Sequence, residues 1–246
     1  LFSVLGIETK EVLICRVLAD LLNPRGQHGM GSVYLELFLK EVLHWQAVNS
    51  DVVKHAVVTA EYLIDENRRI DLVIETAGQF LPVEVKILAG EQKAQCLDYY
   101  RFSRAKDPQT KVIYLTRFGT MPSAYSLSDG TERVPEADLI CISFKEHIIH
   151  WLEQCRNVSR EEMKPLLTQF LDTIRTITGI TRENMTDMTA QEIAGSADSL
   201  RAAMQIADSL NLAKKQVLRS VMEEFVTQMK PLEQKYHLER EQNIGW

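Results

Sequence analysis

The sequence lacks the motifs by which several common enzyme and membrane classes are recognised. It contains no Gly-rich phosphate loop, no nucleophile elbow and no dinucleotide-binding fingerprint. No stretch approaches the roughly 18 uncharged apolar residues that suggest a membrane span. These absences give no support to P-loop nucleotide chemistry or to catalysis by a serine or cysteine nucleophile, and we expect no membrane partner.

Cysteine is scarce, and its spacing suits neither a zinc site nor a disulfide framework. The four cysteines, Cys15, Cys96, Cys141 and Cys155, are widely scattered, and no C-x-x-C pair occurs. The N-terminal stretch has no basic region of the kind that opens a signal peptide. We therefore expect reduced thiols, mostly buried, in a cytoplasmic protein.

Positive charge is also limited, since the formal net charge is −6. This balance argues against a protein that holds nucleic acid by broad electrostatic contact. Residues 84–117 differ, because seven Lys and Arg stand there against four Asp and Glu. Lys93 and Arg101 in this stretch are candidate contacts for a phosphate backbone. A solvated helix face explains the same charges.

Two strand-like runs, residues 69–75 and 80–87, flank a turn at Ala77-Gly78. If these two residues form the loop, Thr76 pairs with Gln79, and Asp71 falls opposite Glu84. Side chains alternate along a strand, so Lys86 shares a face with Glu84. The other face is predicted to be apolar throughout: Ile70, Leu72, Ile74, Leu81, Val83, Val85 and Ile87.

The polar face of this hairpin needs a physical reason, because like charges directly opposite each other are destabilising. A divalent cation between Asp71 and Glu84 would reverse the sign of their interaction, and Mg²⁺ binds one or two carboxylates while keeping waters. Lys86 could then position an attacking water. The alternative is a solvated hairpin face on which Lys86 neutralises Glu84.

Two further side chains are candidates for the same site. A three-residue loop at 65–67 would place Glu61 opposite Asp71 on the preceding strand, although Glu61 could equally be an exposed edge residue near Arg68 or Arg69. His28 lies in a Gly-rich loop, where it could contact a phosphate or pack the loop.

Asp71 followed by Glu84-Val85-Lys86 resembles the Asp…Glu-x-Lys core of the PD-(D/E)xK nuclease superfamily. Gln95-x-x-x-Tyr99 is similar to the Gln-x-x-x-Tyr motif of its RecB-type members. The run from residue 18 to 29 resembles the start of a bacterial branch of the superfamily. The resemblance covers residues 10 to 117, and it departs from the superfamily name at Ile70, where a proline is expected.

The resemblance implies a restriction-endonuclease-like α/β core with a central mixed sheet flanked by helices. It implies that Asp71, Glu84 and the Val85 carbonyl hold Mg²⁺ or Mn²⁺. Lys86 would orient water and stabilise the transition state, Gln95 would brace the site, and Tyr99 would pack beneath it. The implied substrate is nucleic acid, DNA rather than RNA. Some members also supply a carboxylate from the first core helix, for which Glu36 is the candidate.

The remaining chain predicts helices. We expect a nuclease-like core over residues 1–155 and a helical appendage packed on it over residues 156–246, with capping boxes at Ser159-x-x-Glu162 and Thr189-x-x-Glu192. The appendage could serve a homodimer or a protein partner. Two rival functions stay open: a catalytically inactive binding module on the same fold, and an interaction protein. The predicted strands span 52–63, 69–75, 80–87, 112–116 and 139–143, and the predicted helices 9–22, 32–45, 91–105, 160–178, 190–210 and 212–236.

Overall fold

A computed structural model describes residues 10–66, 68–180 and 196–236. Its centre is one five-stranded sheet in the order β1-β2-β3-β4-β5. The first three strands are antiparallel, whereas β3, β4 and β5 run parallel to one another. The predicted mixed sheet is therefore confirmed. The strands are β1 Val57–Leu63, β2 Arg69–Thr76, β3 Gln79–Lys86, β4 Val112–Thr116 and β5 Leu139–Ser143.

Helices precede, cover and follow the sheet. Single π-helical turns, Phe38–Val42 and Phe144–Ile148, continue α2 and introduce α6. The helices are α1 Glu11–Leu22, α2 Val33–Leu37, α3 Ser50–Val53, α4 Gln95–Arg104, α5 Ala124–Leu127, α6 Ile149–Val158, α7 Lys164–Ile177 and α8 Ala197–Tyr236.

The β2–β3 hairpin has the predicted register. Thr76 pairs with Gln79 across the two-residue turn, and the ladder continues to Leu72 opposite Val83. Gly78 takes a φ of 87°, a conformation that favours glycine. This turn fixes the alternation of every side chain on both strands, because slipping the register by one residue would invert the faces.

Both faces of the sheet are covered. Leu72, Val83 and Val85 pack on one face with α1, α2, α6 and α7 in a single large cluster. Val73 and Phe80 pack on the opposite face with Tyr99 of α4. The polar hairpin face is therefore not solvated, and side chains that point from it toward α4 are withdrawn from water.

Ile70 corrects one detail of the predicted alternation. The sequence places it on the apolar face with Leu72, but it packs with Val73, Phe80 and Tyr99 on the α4 side. The β1–β2 ladder has the same register before and after Asp71, but Asp71 and Glu61 do not form a ladder pair. Glu61 has a left-handed φ of 53°.

Several element boundaries differ from the sequence prediction; α4, for example, begins at Gln95 and not at residue 91. The first strand begins at Val57, because residues 50–53 form α3 under an Asn49 cap. Ser159 does not cap α7, since its hydroxyl donates to the Cys155 carbonyl and lies 2.5 Å from the Tyr34 hydroxyl. One helix, α8, replaces the two predicted helices at the C-terminus. The capping box predicted at residues 189–192 lies outside the described residues.

The chain divides into two compact units, Leu1–Thr181 and Arg182–Trp246. The first unit thus extends beyond the boundary predicted at residue 155, and that domain boundary stays a prediction. Helix α7 belongs to the first unit because Phe170, Leu171 and Ile174 are buried in the large cluster, beside Trp151 of α6. Within the described ranges no helix is long and apolar enough to cross a membrane.

The extent of the first unit predicts how shortened chains behave. A chain ending at residue 181 should melt as cooperatively as the first unit of the whole protein. A chain ending at residue 158 should not fold, because it loses several fully buried α7 side chains, each contributing roughly 1.5–3 kcal/mol. Circular dichroism melts of both chains test this. Equal melting temperatures would show that α7 is dispensable.

Candidate active site

The hairpin places the two candidate carboxylates side by side. Asp71 and Glu84 occupy the positions that follow the last ladder pair, Leu72 with Val83. The carboxylate of Asp71 turns toward β3, where its Oδ2 accepts a 2.8 Å hydrogen bond from the Val85 amide. The side chain thereby crosses to the neighbouring strand. This contact fixes Asp71 against the backbone of the residue that follows Glu84.

Glu84 lies at the centre of the site, with 0% of its side chain exposed. Lys86 Nζ is 2.6 Å from its Oε1, and only 12% of the lysine side chain is exposed. Lys86 thus pairs with Oε1, whereas Oε2 has no hydrogen-bond donor among the described residues. Buried carboxylate oxygens are costly to leave unsatisfied, so this site is built to receive a donor or a cation.

Burial and repulsion shift the acidity of both carboxyl groups. Burial, and then the nearby Asp71, raise the pKa of Glu84 to about 8, against the opposing effect of Lys86. Burial also raises the pKa of Asp71, although the Val85 amide and Lys86 oppose it. For Lys86, burial acts to lower the pKa, but Glu84 outweighs it and the pKa is raised. Without a cation, the carboxylate pair therefore tends to keep a proton while Lys86 stays an ammonium.

Helix α4 closes the site from one side through Gln95 and Tyr99. Gln95 Nε2 donates to the Tyr99 hydroxyl at 2.9 Å, and that hydroxyl donates to the Arg69 carbonyl. Burial, followed by the charge of Glu84, raises the pKa of Tyr99, which keeps the phenol protonated. Gln95 Oε1 is buried and has no donor among the described residues. The predicted Gln-x-x-x-Tyr pair therefore braces β2 and leaves one amide oxygen free.

These oxygens fit a hard divalent cation. Asp71 and Glu84 are adjacent carboxylates, and the Val85 carbonyl, between Glu84 and Lys86 in the chain, is a further candidate oxygen ligand. In the described part of the chain no three His, Cys, Asp or Glu side chains have metal-binding spacing. A cation here would depend on the two carboxylates, neutral oxygens and waters, which is the coordination that Mg²⁺ prefers.

Glu11 is a site residue that the sequence reasoning missed. It opens α1, and its Oε1 accepts hydrogen bonds from the three successive amides of Ile87, Leu88 and Ala89, at 2.6, 2.7 and 2.9 Å. This carboxylate fixes the loop that follows Lys86. An acidic residue in the first turn of a helix is common because it interacts favourably with the helix dipole, so the sequence held no distinguishing signal.

Glu36, the candidate from the first core helix, instead accepts a 2.7 Å hydrogen bond from Ser32.

Glu61 stands where the register predicted, but its carboxylate is engaged by arginines. Its Oε2 lies 2.6 Å from Arg16 of α1, and its Oε1 lies 3.8 Å from Arg69. The side chain is about one-third exposed, at 31%. Glu61 therefore ties α1 to the edge strand beside the site, and its negative charge is compensated there.

His28 has both ring nitrogens occupied within its own loop. Nδ1 accepts from the Met30 amide at 3.1 Å, and Nε2 lies 3.0 Å from the Asn23 carbonyl. The ring also stacks on Tyr34 at 4.7 Å. The structure thus gives His28 a loop-packing position, and His28 is not part of the proposed site.

The two basic candidates for phosphate contact, Lys93 and Arg101, differ in whether the charge is already paired within the protein. The Arg101 guanidinium lies 2.7 Å from Asp129 and 2.7 Å from Glu132, so its charge is neutralised within the protein. Lys93 has an exposed side chain just before α4, while its carbonyl accepts from Arg68 at 2.6 Å. Of the two, Lys93 remains a candidate for phosphate contact.

The comparison with protein families agrees with this geometry. A family model of the PD-(D/E)XK nuclease superfamily matches residues 1–172. The chain therefore belongs to this superfamily. The match extends beyond the sequence resemblance through β5 and α6 and into α7. Neither the curated proteins nor the solved structures gave a match.

We expect Glu11→Gln to destabilise the protein by about 2 kcal/mol, because it removes a charged acceptor from three backbone amides. Glu36→Gln is the matched control, since Glu36 accepts from a single hydroxyl, and it should cost less than about 1 kcal/mol. Urea unfolding of both variants measures the difference. Equal effects would show that the Glu11 contacts contribute little to stability.

The raised pKa of Glu84 predicts a pH dependence. Glu84 titrates near its ordinary value of 4.5 when unfolded and at about 8 when folded. Between these values the unfolded state binds fewer protons, so the free energy of unfolding falls as pH rises. In a metal chelator, the melting temperature of the wild type should therefore drop by several degrees more than that of Glu84→Gln between about pH 5 and about pH 8. Parallel curves would contradict the assignment.

Proposed function

We propose that this protein is a metal-dependent nuclease that hydrolyses phosphodiester bonds in DNA. One observation carries the proposal: Asp71 is held beside the fully buried Glu84, and Lys86 Nζ lies 2.6 Å from Glu84 Oε1. A like-charge pair in a buried position is destabilising by itself, and a bound cation gives it a favourable role.

Asp71, Glu84 and the Val85 carbonyl would hold Mg²⁺ or Mn²⁺. When bound, such a cation supplies Lewis-acid charge that polarises the phosphodiester and acidifies water. Asp71 is pre-oriented for this task, because the Val85 amide holds one of its oxygens. Glu84 Oε2 has no competing donor among the described residues, and Oε1 is shared with Lys86. The protein thus arranges its ligands before the cation arrives.

Lys86 has the position and the charge to assist the chemistry. Its ammonium remains protonated and lies at the end of β3, where it can hold an attacking water and stabilise negative charge on the phosphate. Gln95 offers its free amide oxygen as an acceptor that orients such a water. Tyr99 fixes Gln95 and therefore acts as a positioning residue. Glu61 balances the charges of Arg16 and Arg69 beside the site.

The proposal extends to substrate and setting. DNA is preferred over RNA as the substrate, with Lys93 as a phosphate contact, and the role would be in defence, repair or a mobile element. The four thiols are free, which suits a reducing compartment, and we place the reaction in the cytoplasm. The alternative is a nucleic-acid-binding or protein-interaction module without turnover, and the intact Asp71, Glu84 and Lys86 set argues against it.

Cleavage assays on single-stranded and double-stranded DNA and on RNA, with Mg²⁺ and with Mn²⁺, test the proposal. Asp71→Asn, Glu84→Gln and Lys86→Met should each reduce the rate by at least about a hundredfold, since each removes a group acting on the transition state. Glu75→Gln is the matched control, because Glu75 lies on the same strand opposite Phe80 and away from the pair. A Glu84→Gln variant that cleaves at the wild-type rate would refute the site.

The same proteins allow a second readout that does not depend on turnover. Millimolar Mg²⁺ or Mn²⁺ should raise the melting temperature of the wild type and of Glu75→Gln by several degrees, because the cation binds only the folded site. Glu84→Gln should lose this shift. A metal-induced shift without cleavage of any nucleic acid would favour the inactive binding module.

A further inference from the structure

Two loops beside the candidate active site expose large apolar side chains that the proposed chemistry does not use. Leu88 follows β3, and Phe118, Met121 and Tyr125 lie on the segment after β4. Their exposed fractions are 65% for Leu88, 54% for Phe118, 57% for Met121 and 57% for Tyr125. We call these four residues the apolar rim. Grouped exposure of this kind marks a contact surface more often than single exposed residues do.

The apolar rim borders the site because of the parallel pairing of β3 and β4. Lys86 pairs with Thr116 at the ends of the two strands. Leu88 and Phe118 each follow two residues later, so both leave the sheet at the edge where Lys86 lies. Tyr125 is tied to the site through α4, since its carbonyl accepts a 2.7 Å hydrogen bond from Ala94, the residue before Gln95.

Hydrogen bonds hold the loops of the rim in place. Glu91 accepts from the Ser123 amide at 2.8 Å, from the Ser123 hydroxyl and from Tyr114, so it joins the two loops. The Thr116 hydroxyl accepts from the Thr120 amide at 2.9 Å and fixes the turn that carries Phe118. The apolar side chains are therefore presented to solvent by a fixed backbone, which lowers the entropy cost of binding.

A cation accompanies the aromatic ring of Phe118. The Arg117 guanidinium lies 5.0 Å from the ring centroid. Its Nε is buried and has no acceptor among the described residues. A planar cation over a ring, directly after the Thr116 that pairs with Lys86, offers both a base-stacking surface and a phosphate contact.

We propose that the apolar rim is a stacking platform for unpaired bases, and that the substrate strand is single-stranded at the point of cleavage. The proposal rests on the nuclease function proposed above. Unpaired bases expose faces that can stack on Phe118 and Tyr125, whereas a duplex hides them and presents its phosphates. The net charge of −6 leaves little room for affinity from phosphate contacts alone, so stacking has to supply it.

Binding can be measured apart from cleavage by using the full chain with Asp71→Asn as the background in Mg²⁺. Fluorescence anisotropy would compare a labelled thymidine single strand, a duplex of mixed sequence, and a single strand with the same phosphates but abasic sugars. We expect the thymidine strand to bind at least about tenfold more tightly than either of the other two, because stacking contributes roughly 1–3 kcal/mol per base.

Adding Phe118→Ala and Tyr125→Ala together should weaken binding of the thymidine strand at least about tenfold and leave binding of the abasic strand unchanged. Phe118→Trp should retain the affinity, because its ring still stacks. Phe225→Ala is the control, since Phe225 is an equally exposed aromatic side chain, at 57%, in the second unit. Melting temperatures confirm that each variant is folded.

Equal affinity for the duplex and the thymidine strand would overturn the proposal, as would a double alanine variant that binds the thymidine strand normally. The latter result would assign the apolar rim to a protein partner. Failure of the nuclease function gives a different pattern: the single strand binds through the rim, but the chain with Asp71 restored cleaves no substrate.

Discussion

The enforced proximity of Asp71 and Glu84 is the constraint on which the rest of the site depends. Two carboxylates repel each other, and both prefer water, yet the hairpin register sets them side by side and α4 removes water from Glu84. A fold keeps such a cost where function requires it. The pKa of Glu84, raised to about 8, reflects this cost, because the carboxyl group binds a proton more readily than usual. A divalent cation can take the place of that proton.

The surroundings hold the carboxylates in place without neutralising them completely. Asp71 is held by a backbone amide, and Glu84 forms an ion pair with the ammonium of Lys86. Glu11 restrains the three residues that follow Lys86. Gln95 and Tyr99 restrain β2 from the opposite side. Rigid support of this kind is what a metal site needs, because ligand geometry must exist before the cation binds.

Local sequence signals predicted the hairpin well. Ala77-Gly78 set a two-residue turn, and alternation on either side then determined that Asp71 faces Glu84 and that Lys86 follows on the same face. These features depend on neighbours a few residues apart, so composition and spacing were sufficient. The same reasoning failed at Ile70 and at Ser159, because tertiary contacts there override alternation and capping preference.

Local patterns along the chain were sufficient to predict the five strands, the mixed α/β character and the acidic pair with its lysine, since each arises from periodicity or turn chemistry within one segment. Three features could be read from the folded protein alone: the acidic face is buried under α4, Glu11 reaches the loop after Lys86, and Arg101 and His28 have partners away from the site. Helix α7 joined the core for the same reason. These facts join residues dozens of positions apart, and no local pattern encodes which distant segments will share a surface.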